Sequence, residues 1–168
     1  MTDSECESVI YSTMTLYFQQ TPLGKLGIAE HAGKITDVYF ADDVIPQDVE
    51  IAETALINEA FLQLNAYFTG QLTKFTLPLA PRGTAFQQSV WQALCAVPHA
   101  NTASYKDIAF AIGNPKAVRA VGQANNKNPI PIFIPCHRII GSNGKMVGYS
   151  GGLEMKAFLL ALERRPVS

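Results

Sequence analysis

Cys136 and His137 stand side by side near the end of Asn128-Pro129-Ile130-Pro131-Ile132-Phe133-Ile134-Pro135-Cys136-His137-Arg138-Ile139-Ile140. A thiol becomes a useful nucleophile when a neighbouring base or cation favours the thiolate. Pro129, Pro131 and Pro135 restrict the backbone to a rigid, extended path. Ile130, Ile132, Phe133 and Ile134 are apolar enough to anchor that path in a core. Such a frame delivers Cys136 to a defined place. Neighbours on an extended chain point to opposite sides, so His137 need not touch the sulfur directly, and a bridging water could complete the link. Cys6 and Cys95 have no such surroundings and read as inert buried thiols. Three widely spaced cysteines without a CxxC argue against a disulfide framework or a thiol-rich zinc site. They fit a reducing, cytoplasmic setting.

The elements that must hold this stretch follow from the punctuation. Val9–Phe18, Lys25–Glu30 and Lys34–Phe40 are strand-like runs separated by Thr21-Pro22-Leu23-Gly24 and Ala32-Gly33 turns. From Pro46 to Phe68 the pattern turns helical, with Ile51, Ala55, Leu56, Phe61, Leu62, Leu64 and Phe68 as the stripe and Gly70 as the stop. Phe75-Thr76-Leu77 reads as one more short strand. Two prolines and a glycine in residues 77–84 mark a linker. Beyond it, Phe86–Val97 is helical. Ser104 and Asp107 form a capping box ahead of Tyr105–Ile112, and Gly113 stops that helix. Asn114-Pro115 reads as the cap and first turn of the next helix, through Ala124. The pair makes a helix-turn-helix, and Leu153–Arg164 closes the chain. The predicted fold is α+β: a small N-terminal sheet-and-helix domain over residues 1–80 and a C-terminal helical domain over residues 84–168.

The 168 residues suffice for a core. With 48% apolar and 16% charged residues, the chain is neither a disordered tail nor a fibre. No apolar run is long enough to span a membrane. The acidic start Met1-Thr2-Asp3-Ser4-Glu5 reads as neither secretory signal nor transit peptide. The net charge of −1 conceals an asymmetry. Residues 1–83 carry four bases against eleven acids, a net of −7, and residues 84–168 carry nine bases against three acids, a net of +6. Either the second half meets a polyanion or the two halves pair in the fold.

Pro135-Cys136-His137-Arg138, with Asn128-Pro129 before it and Gly148-Tyr149-Ser150-Gly151-Gly152 after it, resembles the O6-alkylguanine-DNA alkyltransferases. Gly83-Thr84-Ala85-Phe86-Gln87, Val90-Trp91, Ala103-Ser104-Tyr105 and the run Gly113–Gly122 extend the resemblance over about residues 83–164. The first 80 residues match more loosely, through Thr21-Pro22-Leu23-Gly24. The resemblance implies that Cys136 takes the alkyl group from O6 of a damaged guanine, once per protein and without a cofactor. His137 would act as base through a water, and Glu163 on the last helix would orient it, as in a triad. On residue type alone, Glu163 beside Arg164 and Arg165 reads as an ordinary solvated acid. Asn128 would hold the loop. Tyr105 would donate to the departing guanine ring, and Ser150 toward O6. Tyr149, Pro131 and Gly151 would line the alkyl pocket. Carbonyls near Cys136 and Ile139 would select guanine through its amine.

The target atom lies inside a duplex, so the nucleotide must leave the stack. By resemblance Arg119 would fill the gap, on a helix whose Ala117, Ala120 and Gly122 permit close approach to the minor groove. A face of small residues also suits packing on a neighbouring helix. Ser104, Asn126, Lys127 and Lys116 are candidate phosphate contacts. Double-stranded DNA carrying O6-alkylguanine is the expected partner, with the protein a monomer and no membrane or obligate protein partner. Some relatives hold zinc in the first domain, but Cys6 and His31 do not supply a ligand set, so no metal is expected. A thiol hydrolase would need an oxyanion hole, and the sequence offers no Gly-rich nest near Cys136; a pure lesion binder would not need the thiol.

Overall fold

The structure is a computed structural model and describes residues 13–166. The readings of Cys6, of the acidic first five residues and of the first part of Val9–Phe18 lie outside the described residues. Strands β1 (Met14–Thr21), β2 (Gly24–His31) and β3 (Lys34–Phe40) form an antiparallel meander, and β4 (Val49–Ile51) adds parallel to β1. The sheet order is β3-β2-β1-β4. The short β4 was hidden within the segment read as helical. Helix α1 (Ala55–Phe68) starts later than the pattern suggested, capped by the Thr54 hydroxyl on the Ile57 amide at 3.1 Å. Its buried face is Ile57, Ala60, Phe61, Leu64, Tyr67 and Phe68. Leu62 and Ile51, assigned to the stripe, are exposed.

Phe75-Thr76-Leu77 is not a strand. The chain pairs with the sheet only beyond it: Ile35 donates to the Pro78 carbonyl and the Ala80 amide donates back to Ile35, both at 2.8 Å. Helix α2 (Ala85–Cys95) follows, with a capping box between Thr84 and Gln87. Then come β5 (Ala103–Ser104), α3 (Tyr105–Ala111), α4 (Val118–Asn126), a 3₁₀ turn at Cys136–Arg138, β6 (Ile139–Ile140) and α5 (Leu153–Glu163). The predicted capping box of α3 is present, with Ser104 Oγ accepting from Asp107 at 3.0 Å and Asp107 accepting from Ser104 at 2.9 Å.

Asn114 does not cap α4. Its amide reaches back to the Ala109 carbonyl at 3.0 Å, while Gly113, at φ 78°, donates to Phe110. Those two bonds close the end of α3 as a Schellman motif. Pro115-Lys116 then turns the chain, and α4 starts from Ala117 without a side-chain cap. The two helices of the motif remain adjacent. Among the described residues no helix is long and apolar enough to cross a membrane.

One apolar core joins the elements, from Leu26, Ile28 and Leu64 through Trp91, Leu94 and Val121 to Ile130, Ile139 and Leu159. Trp91 donates from its indole to the Ala124 carbonyl at 2.9 Å, tying α2 to α4. Gly83 lies against this indole: a Cβ there would sit 2.5 Å from Trp91 Cη2 and 2.5 Å from Gln87 Oε1. Gly83→Ala should therefore cost about 1–3 kcal/mol through overpacking, read as a lower urea midpoint. An unchanged midpoint would contradict this close approach.

Candidate active site

The Pro-rich stretch is buried along nearly its whole length, but it does not stay extended. Asn128 clamps its two ends. The Asn128 amide donates to Ile134 O at 2.8 Å, and its Oδ1 accepts from Ile130 N at 3.0 Å. Ile132, between them, adopts φ 76°, a strained position for a β-branched residue. Pro135 then forms an inverse γ-turn, with φ −81°, ψ 62° and Cys136 N on Ile134 O at 2.8 Å. Cys136-His137-Arg138 is a 3₁₀ turn rather than the expected extended strand. Proline fixes φ alone, and ψ near 62° at Pro135 bends the chain.

That turn gathers its side chains on one carboxylate. His137 Nε2 lies 2.6 Å from Glu163 Oε2. Arg138 Nε and Nη2 donate to the two Glu163 oxygens at 2.8 and 3.1 Å, and its Nη1 donates to the Val97 carbonyl at 2.7 Å. Ala100 N donates to Oε1 at 3.2 Å, and the Tyr67 hydroxyl donates to Oε2 at 2.6 Å. Glu163 is only 2% exposed, so it is no solvated surface acid. Burial by itself raises its pKa. The hydrogen bonds from His137, Arg138 and the Tyr67 hydroxyl outweigh that and hold the carboxyl well below the usual range.

His137 is fully buried, and burial lowers its pKa from 6.5 despite the carboxylate. A neutral ring donating from Nε2 to Glu163 leaves a lone pair on Nδ1, and Nδ1 has no hydrogen-bond partner among the described residues. Cys136 is 2% exposed. Burial pushes its thiol up to about 11, against the opposing pull of the Asn128 side chain, the Lys156 charge and a backbone amide. At neutral pH the site therefore holds a thiol, a neutral imidazole and an ionised carboxylate.

Residues 85–165 match the family described as 6-O-methylguanine DNA methyltransferase, DNA binding domain, and residues 9–81 match 6-O-methylguanine DNA methyltransferase, ribonuclease-like domain. The chain belongs to the 6-O-methylguanine DNA methyltransferase family. It is 50% identical over 152 residues to the constitutive methylated-DNA–protein-cysteine methyltransferase of Bacillus subtilis, covering 86% of this chain and 92% of that one. It is 58% identical over 119 residues to the methylated-DNA–protein-cysteine methyltransferase of Methanosarcina barkeri, covering 71% and 75%. The crystal structure of Mycobacterium tuberculosis OGT in complex with DNA matches with a TM-score of 0.85 at 44% identity, over 89% of this chain and 92% of that one.

The remaining site residues of this methyltransferase-family chain fall into two groups. Tyr149, whose buried hydroxyl has no hydrogen-bond partner among the described residues, packs edge-on to Phe40 with ring centroids 6.3 Å apart. Gly151 lies beside it: a Cβ there would be 3.0 Å from Tyr149 and 3.1 Å from Phe40. Pro131 and Ser150 line a cavity of about 270 Å³ together with Asn128 and residues of β3. Tyr105 donates to the Val147 carbonyl at 2.7 Å. The second group is on the helix-turn-helix. Arg119 and Ala120 are exposed on α4, Ala117 caps it, and Gly122 faces the Tyr105 ring, with room for a Cβ 3.8 Å away. Ser104 caps α3, while Lys116, Asn126 and Lys127 are exposed. Of the nine bases in residues 84–168, Arg138 and Lys156 are internal, so the outward charge is smaller than the count suggested. Cys95 is exposed, contrary to the expectation of a buried thiol, because it occupies the last turn of α2 away from the core face.

Sequence reasoning missed Tyr67 and Lys156, and gave Arg138 no partner. Lys156 is fully buried and donates to the carbonyls of Ile139, Val147 and Gly148. Its signal was available: Lys156 and Glu163 are seven residues apart, on the helix face that carries Leu159 and Leu160.

A depressed Glu163 pKa stabilises the fold above the unfolded value of 4.5, and that stability is lost as pH falls through 4.5 toward the folded value. The melting temperature should drop steeply below about pH 4.5. Glu163→Gln should cost about 3–5 kcal/mol at pH 7 by stranding the buried Arg138 charge, and should flatten that acid dependence. An acid limb equally steep in both proteins would contradict the assignment.

Proposed function

We infer that this chain repairs DNA by direct damage reversal, moving the alkyl group from O6-alkylguanine onto its own Cys136. The observation that carries the reading is the buried Cys136-His137-Glu163 arrangement, with Nε2 committed to the carboxylate and Nδ1 left to accept a proton, in a chain of this family. The thiol proton passes through a water to His137 Nδ1. The sulfur forms a bond to the alkyl carbon as the carbon–O6 bond breaks, and the electron pair stays on guanine. The proton lost by the thiol balances the proton that guanine regains. A thioether is a poor leaving group, so each protein acts once.

Asn128 holds the loop and steadies the sulfur through its side chain. Tyr105 turns its hydroxyl to the guanine ring. Its present acceptor, Val147 O, keeps a donor when it does so, since Lys156 also bonds that carbonyl at 3.0 Å. The Ile139 carbonyl likewise accepts from Lys156 and has a second lone pair for the guanine amine. Ser150 donates toward O6, and Tyr149, Pro131 and Gly151 enclose the alkyl group. Arg119 fills the space of the flipped nucleotide. Ala117, Ala120 and Gly122 admit the helix to the minor groove, and Ser104, Lys116, Asn126 and Lys127 meet phosphates. We place the division of the chain at residues 81–83, after Ala80 makes its bond to the sheet and before Thr84 caps α2. A free thiol that must stay reduced fits a monomer acting in the cytoplasm.

Incubation with a duplex containing O6-methylguanine should add one methylene to the intact mass, on Cys136. Repeated turnover, or a label on Cys95, would overturn the reading. Arg119→Ala should slow repair of duplex far more than reaction with free O6-benzylguanine; equal losses on both would remove its role in flipping. Duplex affinity should fall as salt rises, and a flat response would count against phosphate contacts.

A further inference from the structure

We propose that Tyr67, on helix α1 beneath the sheet, is a positioning residue of the transfer reaction: its hydroxyl completes the donor set that holds the Glu163 carboxylate against His137. The inference rests on the alkyl-transfer reading above and brings the first half of the chain into the chemistry.

The Tyr67 hydroxyl donates to Glu163 Oε2 at 2.6 Å, the oxygen that His137 Nε2 also meets at 2.6 Å. Arg138 Nη2 reaches the same oxygen at 3.1 Å, and Oε1 takes Arg138 Nε and Ala100 N. A carboxylate offers roughly four lone-pair sites, so these donors saturate it. Tyr67 differs from the others in its origin, 96 residues before Glu163. Arg138 and His137 follow Cys136 directly and move with it. Tyr67 is fixed independently: its ring is 1% exposed and packs on Phe68, Phe75 and His99 at centroid distances of 5.7, 5.2 and 6.1 Å.

Packing alone would be met by phenylalanine. The hydroxyl adds two things. It opposes rotation of the carboxylate away from Nε2, and it disperses the charge that faces the imidazole. Around this pair stand Arg138 from the 3₁₀ turn, Lys156 from α5, and Tyr149, whose hydroxyl feels the Glu163 charge. A change at Tyr67 alters none of them covalently. With one donor fewer, the carboxylate becomes more basic and favours imidazolium. His137 then takes a proton from bulk water at a higher pH and is lost as a base there.

The test is single-turnover methyl transfer from an O6-methylguanine duplex across pH, in wild type, in Tyr67→Phe, and in protein carrying 3-fluorotyrosine at position 67. Absence of transfer to Cys136 in wild type would sink the alkyl-transfer reading itself, before Tyr67 is in question. Given wild-type transfer, Tyr67→Phe should move the acid limb of the rate profile upward by about half a pH unit. This lowers the rate on that limb about threefold, with duplex affinity unchanged. Fluorotyrosine is a stronger donor and should move the limb downward; this arm decides the matter if Tyr67→Phe does not fold. A purely structural Tyr67 would lower thermal stability and leave both limbs in place, and that result overturns the proposal.

Discussion

Glu163 carries a negative charge where water scarcely reaches, and such a charge is tolerated only when donors replace the water. Five donors do so, from α1, the segment after α2 and the 3₁₀ turn. Meeting that one requirement draws together pieces of chain far apart in sequence. The Arg138 guanidinium also ties Val97 at the end of α2 to the same point. The carboxylate is therefore both the hydrogen-bond partner of the imidazole and a node that binds the sheet half to the helical half.

The remaining constraint is mechanical. A nucleophile in a buried site must be presented without flexing, and the Asn128 clamp, the positive φ of Ile132 and the γ-turn at Pro135 do this over eight residues. The sheet supports the loop from outside, since Val38 N donates to Pro129 O at 2.9 Å. On the other side, β6 pairs with β5 and so places the chain after Arg138 next to Ser104, the cap of α3. A two-residue ladder thus ties the segment that carries Cys136 to the helix-turn-helix. Burial keeps the thiol protonated at rest.

Local signals carried much of this organisation. The hairpins at Thr21–Gly24 and Ala32-Gly33, the Ser104–Asp107 box and the last helix were legible because each is written in neighbouring residues. The family motifs drew attention to Cys136, His137, Glu163 and Asn128, which the fold brings together. What escaped notice depends on ψ or on distant partners. Proline restricts φ and says nothing of the bend at Pro135. Asn114 looked like an N-cap, yet its amide was needed to finish the preceding helix. The short β4 exists only because β1 offers an edge. Tyr67 sat among apolar helix residues, and nothing near it in sequence announced a carboxylate 96 residues away.

A neutral His137 is held by an ionised Glu163, and its Nδ1 has no hydrogen-bond partner among the described residues. ¹⁵N NMR of the imidazole reads tautomer and charge directly. At pH 7 the ring should be neutral, with the proton on Nε2 and an unprotonated Nδ1. An imidazolium, or a proton on Nδ1, would contradict it.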